Sequence, residues 1–159
     1  MHKENKSAKT IVKEINDKAF EFVPNVSLGI FHLGYQIKEY LNLEYIHDIL
    51  SMEQYDLPDI DSYYFPKHGV EISINDQHQI EYITCRTVCI WNGKNIIGML
   101  LRDFLKQYNL HPIDEEGSLF YLEEPRHTQR AYDFKEDVGL QVWVWRKRIV
   151  TVIICNDKL

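Results

Sequence analysis

The most constraining feature of this sequence is an internal repeat. Segments 69–85 and 139–155 align over 17 residues without a gap. In each segment apolar and polar residues alternate, which is the pattern of a strand with one buried face. The apolar positions are Val70, Ile72 and Ile74 in the first segment and Leu140, Val142 and Val144 in the second. Turn residues at 75–78 and 146–148 divide the segments, so each predicts a β-hairpin.

A helical pattern with a glycine near its start precedes each hairpin. Residues 32–41 match residues 96–105, with Gly34 aligned to Gly98. After each glycine, apolar residues recur every three or four positions, which predicts an amphipathic helix. A third pattern of this kind, over residues 7–22, predicts a leading helix.

These elements predict an α+β domain. Two tandem helix–hairpin repeats, about 28–91 and about 92–155, join their hairpins into one antiparallel sheet that packs on helices. The leading helix, about 7–22, is an addition to the repeats, and 159 residues fit a single domain. The gapless alignment also matches Ile83 with Ile153 and Cys85 with Cys155, which favours a duplication over a chance likeness.

The repeat unit resembles a known fold. A Leu33-Gly34 or Ile97-Gly98 pair before an amphipathic helix and a hairpin, in tandem, is similar to the unit of the beta-lactamase-inhibitor-protein-like fold. Small outer-membrane-assembly lipoproteins share that unit, but no signal or lipobox cysteine is found here. The resemblance implies a protein-binding role. In size, charge and type the chain also resembles immunity proteins of bacterial polymorphic toxin systems, including contact-dependent growth inhibition.

Composition restricts the partner and the compartment. With 18 Lys+Arg against 24 Asp+Glu the net charge is -6, which disfavours nucleic acid as a partner and favours a basic protein. No apolar stretch approaches the ~20 residues of a membrane span, and no secretory signal is recognised. A cytoplasmic location is therefore expected, without a membrane partner.

The sequence offers no catalytic or cofactor motif. Cys85 and Cys89 are ~13 Å apart on a predicted strand, too far for a disulfide or a shared metal ion. Buried apolar roles are expected for Cys85 and Cys155, which occupy matched positions of the repeat. The seven histidines are scattered singly and no phosphate-binding glycine loop occurs. We therefore expect no cofactor, no metal and no enzyme activity.

Carboxylates concentrate in two predicted loops, 51–61 and 111–130. Their members include Asp56, Asp59, Asp61, Asp114, Glu115, Glu116, Glu123 and Glu124. Solvated loops are the commonest explanation for such runs. General acid–base work, a divalent ion or contact with a basic protein are the alternatives. Because each loop follows a helix of its repeat, both are expected near the same end of the molecule.

Two tryptophans point away from the predicted core. Trp143 and Trp145 alternate with the buried positions of their strand, and their repeat counterparts, Ser73 and Asn75, are polar. Exposed tryptophans on a sheet are typical of binding hot spots. The leading helix or a dimer partner could equally cover them.

The leading hypothesis is a non-enzymatic cytosolic immunity protein. It binds a cognate toxin domain, expected to be a basic nuclease, and occludes its active site through Trp143, Trp145 and the acidic loops. The alternative is a small cytosolic enzyme or ligand-binding domain with a pocket between sheet and helices. A structural subunit that dimerises through the sheet face is the third possibility.

Overall fold

Strands dominate the described part of the chain. A computed structural model describes residues 7–9, 18–122 and 128–156, of which about 44% lie in strands and 16% in helical elements. The strands are β1 (Phe22–Val23), β2 (Ser27–Leu28), β3 (Phe31–His32), β4 (Ile46–Leu50), β5 (Ile60–Phe65), β6 (Val70–Ile74), β7 (Ile80–Cys85), β8 (Ile90–Trp91), β9 (Lys94–Asn95), β10 (Ser118–Tyr121), β11 (Thr128–Phe134), β12 (Leu140–Trp145) and β13 (Arg148–Ile154). The helical elements are 3-10 helices at Ile37–Tyr40 and Glu53–Tyr55 and α-helices α1 (Leu101–Gln107) and α2 (Lys135–Val138).

One eight-stranded antiparallel sheet forms the body of the fold. Its strand order is β10-β11-β12-β13-β7-β6-β5-β4. The predicted α+β fold of tandem helix–hairpin units packed on helices is therefore wrong. After Gly34 the chain makes only the short 3-10 helix, and residues 46–50 then pair with β5 instead of extending a helix. The predicted loop 111–130 likewise contains β10 and the start of β11.

Repetition is present, but the repeated unit is a four-stranded meander. The first half, β4 to β7, and the second half, β10 to β13, join where β7 pairs with β13. Each meander is fastened by its matched glycine. The Gly34 N–H donates to the Ile80 carbonyl at 2.8 Å, and the Gly98 N–H donates to the Ile149 carbonyl at 2.7 Å. The alignment of these two glycines is thus confirmed.

The gapless alignment fails in the last strand. Ile72 lies opposite Ile83 in the first half, whereas Val142 lies opposite Val152 in the second. The second turn is one residue shorter, so Ile83 corresponds to Val152 and not to Ile153. By the same register, Cys85 corresponds to Ile154 and not to Cys155.

One face of the sheet is buried. Alternation on the central strands puts their apolar residues on this face, as the hairpin pattern predicts. The buried side chains are Val70, Ile72, Ile74, Ile80, Ile83, Cys85, Leu140, Val142, Val144, Ile149, Val152 and Ile154. Short hairpins, the first 3-10 helix and α1 supply the residues packed against them, among them the fully buried Phe31 and Phe104.

The predicted leading helix falls mostly outside the described residues. Residues 8–9 and 18–19 are helical, while Phe22, at the predicted end of that helix, belongs to β1. Among the residues that the structure describes, no helix has the length and apolar character needed to span a bilayer.

Candidate functional site

The second face of the large sheet is open in the described part of the molecule. Cross-strand pairing places one residue from each of seven strands in a row across it. The row consists of Ile46, Tyr64, Glu71, Thr84, Ile153, Gln141 and Asp133, all of them half-buried or exposed. This face therefore presents a broad mixed surface of aliphatic, aromatic and polar side chains.

An aromatic cluster lies at the β10–β12 end of the open face. The Trp143 indole stacks on the Phe120 ring with 4.6 Å between ring centroids. The Trp143 Nε1–H donates to the Gln141 side-chain oxygen at 2.8 Å. Ala131 and Gln129 lie on the same face beside these rings and are buried, at 5% and 8% exposure. These contacts hold the half-buried Trp143 in one orientation, so little side-chain entropy is lost when a partner binds it.

Trp145 lies at the end of β12, next to the turn. The Arg146 guanidinium carbon lies 4.4 Å from the centre of the Trp145 ring, a cation–π contact. Both predicted tryptophans are half-buried and alternate with Val142 and Val144, which face the core. The predicted orientation of the pair is therefore correct, while its role in binding stays a prediction.

The first acidic loop is organised by its own backbone. Asp59 accepts a hydrogen bond from the Met52 N–H at 3.3 Å, and Asp56 adopts a left-handed conformation that ends a 3-10 turn. Asp61 is not in the loop at all, because it belongs to β5 and contacts His47 across the strand pair. These carboxylates are thus divided between a turn and a strand.

The second acidic loop lies at the opposite edge of the sheet. Asp114 accepts a hydrogen bond from the Glu116 N–H at 3.0 Å, and Arg130 donates to the Glu116 carbonyl at 3.0 Å. Glu115 is exposed beside them, while Glu123 and Glu124 lie outside the described residues. Six strands separate β4 from β10, so the expectation that both loops lie near the same end is wrong. The two halves meet at their last strands, β7 and β13, so their first strands, β4 and β10, form opposite edges of the sheet.

A side-chain cluster that the sequence did not predict lies on the outer strands of the first half. The His47 ring stacks on the Tyr63 ring at 4.2 Å and its Nε2 contacts the Asp61 carboxylate. Burial raises the pKa of Tyr63, with smaller contributions from the nearby Asp61 and Tyr45. No spacing motif marks this cluster, since its members meet only through the β4–β5 register. The His47 and Asp61 side chains are 38% and 34% exposed, which suits a surface pair that fastens β4 to β5.

The three cysteines are buried and none of them forms a disulfide. The predicted burial of Cys85 and Cys155 is confirmed. Burial raises the pKa of Cys89 well above its ordinary value, and the Cys85 thiol donates to the Val88 carbonyl at 2.9 Å. The Cys89 thiol therefore remains protonated and poorly nucleophilic at neutral pH. Among the described residues, no group of three or more His, Cys, Asp or Glu side chains is arranged to hold a metal ion.

Comparisons of the chain with protein-family models, with curated protein sequences and with solved structures gave no match.

Proposed function

We propose that this chain is a non-catalytic protein-binding protein that uses the open sheet face. The observation that carries the proposal is the size of this face. Eight strands about 4.8 Å apart, with about five residues each at about 3.3 Å, give a surface of roughly 600 Å². Stable protein complexes bury about 800 Å² on each partner, so the face is close to the required size.

The distribution of side chains also suits a protein partner. The Phe120–Trp143 stack lies on this face toward its β10 edge, and the two acidic loops lie at opposite edges of the sheet. Protein interfaces commonly combine aromatic anchors with a polar rim. The net charge of -6 would attract a basic partner over a distance of about 10 Å at moderate salt.

The partner class that we propose is a bacterial toxin domain. In this hypothesis the protein acts in the cytoplasm as an immunity protein, and the open face covers the active site of a basic toxin such as a nuclease. Carboxylates at the sheet edges would take the place of substrate phosphates. The resemblance in size, charge and type is the support for this choice.

The test begins with untagged purification from the native cells and identification of any stoichiometric partner. We expect Trp143→Ala to weaken binding of the purified partner about 30-fold, as is typical of an aromatic hot spot. Tyr35→Ala is the matched control, since Tyr35 is exposed and stacks on His32, away from this face. Equal affinities for the wild type and Trp143→Ala would disprove binding through this face.

A second measurement tests the immunity hypothesis itself. The partner domain is expressed alone in a heterologous host and then together with this chain. The hypothesis is supported if the partner domain alone arrests growth, co-expression of the wild type relieves the arrest, and co-expression of Trp143→Ala does not. A partner domain that has no effect on growth would contradict the toxin assignment.

A further inference from the structure

A cleft of about 890 Å³ lies on the buried side of the sheet, at the edge of the second half. The start of α1, the β12–β13 turn and strands β10 and β11 surround it. The Leu101 N–H donates to the Lys147 carbonyl at 2.9 Å, which fixes α1 against the turn. The volume lies within the range of small-molecule sites, and the cleft is on the opposite side of the sheet from the open face.

Four cationic side chains line this cleft. They are Arg102, Arg130, Arg146 and Lys147, and no carboxylate is among its described lining residues. The Arg102 side chain is 84% exposed and pairs with the Asp103 carboxylate at 3.7 Å, so Arg130, Arg146 and Lys147 carry most of the argument. Arg130 donates to the Glu116 carbonyl and Arg146 stacks on the Trp145 ring, so two of the three guanidinium groups are positioned in advance. Such a concentration of positive charge in a chain of net charge -6 creates a local anion-attracting field.

The remaining lining is largely apolar. Leu101, Leu119 and Val144 contribute aliphatic surface, and the half-buried Tyr132 contributes a ring. A free inorganic anion would leave this surface without contacts. The combination of an apolar wall and several cations instead suits an anion that carries a hydrophobic or aromatic body.

Comparison with the first half explains why the cleft is empty of side chains. The two halves can be compared position by position through their strand pairing. Arg130 in the second half then corresponds to Asp61 in the first, and Gly117 corresponds to His47. In the first half, the His47 ring covers Tyr63 and contacts Asp61. Gly117 has no side chain, and a Cβ there would lie 2.9 Å from the Tyr132 ring. The second half thus lacks the side chain that fills this region of the first half and has a cation in place of its carboxylate.

We infer that this cleft binds a small phosphate ester with an apolar or aromatic body. Guanidinium groups form paired hydrogen bonds with phosphate oxygens, and a phosphate dianion uses more of the four positive charges than a monocarboxylate could. The apolar lining would contact the organic part of the ligand.

Isothermal titration calorimetry of the full chain with AMP and with phenyl phosphate tests this site. We expect saturable one-to-one binding of at least one of them, weaker binding of inorganic phosphate and none of adenosine. Lys147→Gln and Arg130→Gln should each weaken binding about tenfold through loss of a charge-assisted contact. Lys147→Gln leaves the backbone bond to Leu101 in place, and circular dichroism verifies the fold of Arg130→Gln. Lys38→Gln is the matched control, because Lys38 aligns with Arg102 but lies in the first half.

Three outcomes would overturn the inference: no saturable binding of either ester at millimolar concentration, equal affinity of Lys147→Gln and wild type, or binding of a single-stranded oligonucleotide alone. The site is also separable from the proposed protein-binding face. Trp143→Ala should leave the AMP affinity unchanged, whereas the cleft variants should leave partner binding unchanged. Loss of both activities in Trp143→Ala would contradict two independent sites.

Discussion

The two halves of the sheet share a backbone plan but differ in their chemistry. Both are four-stranded meanders, and both carry a register shift at a matched position, Ser73/Ile74 in one half and Trp143/Val144 in the other. Their outer strands, however, differ in charge at one matched position, where β5 has Asp61 and β11 has Arg130. Because side chains there are not needed for core packing, the repeat could keep its architecture while one half gained a basic cleft.

A second difference concerns how tightly the matched glycines before β6 and β12 are enclosed. Both Gly69 and Gly139 have positive φ, at 62° and 65°. A Cβ on Gly69 would meet only the Thr87 hydroxyl, at 3.0 Å, whereas on Gly139 it would overlap the Cys155 carbonyl and approach Asn25 Oδ1 at 2.6 Å. The second half is therefore closed by the chain segments around Asn25 and Cys155.

The largest expected effect tests this difference in enclosure. Alanine at either glycine costs about 1–2 kcal/mol through its left-handed conformation. Gly139→Ala should lose a further 1–3 kcal/mol, about the cost of overpacking, because the Asn25 and Cys155 segments must shift. Urea denaturation of Gly69→Ala and Gly139→Ala measures the difference in stability between the two variants. The comparison requires that both variants keep the same m-value. Equal losses in the two variants would show that both sites relax with similar ease.

The next effect concerns a buried tyrosine that the second repeat replaces by phenylalanine. Tyr40 in the first half aligns with Phe104 in the second, and both are buried. Burial raises the pKa of Tyr40, whose hydroxyl donates to the Ile30 carbonyl at 2.9 Å. Since the unfolded chain loses this proton first, stability is fully present below pH 10.0 and decreases as pH rises above it, by up to about 1.4 kcal/mol per unit.

Removing the Tyr40 hydroxyl tests whether this group causes the loss of stability at alkaline pH. Tyr40→Phe should lower stability at pH 7 by about 1 kcal/mol, through the lost hydrogen bond, and reduce the decrease above pH 10. The free energy of unfolding at several pH values measures both effects, with the exposed Tyr121→Phe as control. An unchanged alkaline slope in Tyr40→Phe would exclude Tyr40 as the group responsible.

The smallest effect concerns the cluster that distinguishes the first half. His47→Ala removes the ring that stacks on Tyr63 and contacts Asp61. A cross-strand pair on an exposed edge contributes about 0.2–1 kcal/mol, so the loss of stability should lie in that range. Chemical denaturation of His47→Ala and the exposed-loop variant Ile113→Ala gives the comparison. A loss well above this range would mean that His47 does more than fasten an edge strand.

Much of the central sheet could be predicted from the sequence. Alternation identified β6, β7, β12 and β13, because these strands bury one face and expose the other. The predicted strand that carries both Cys85 and Cys89 is too long, since β7 ends at Cys85 and Cys89 lies outside it. Asn75 accepts hydrogen bonds from the N–H groups of Gln77 and Gln79 and closes the turn that its sequence predicts. The helix after Gly98 was also correct, with Phe104 buried in its apolar stripe.

The outer strands were missed for a physical reason. All five residues of β4 and all four of β10 are exposed, so no alternation of buried and solvated positions marks them. Ile46, Ile49 and Leu50 even have the spacing of a helix. Hydrogen bonds from β5 to β4 and from β11 to β10 decide these conformations, and such pairing is not visible in a local pattern.

By itself, the sequence determined which residues form the buried face and that the chain repeats. Those properties follow from side-chain periodicity, which is local. Only the tertiary structure decided that the repeat is a meander, that the acidic loops lie at opposite edges, and that four cations meet in one cleft. Arg102, Arg130 and the Arg146–Lys147 turn come from three separate elements, and strand register is the physical cause of their meeting.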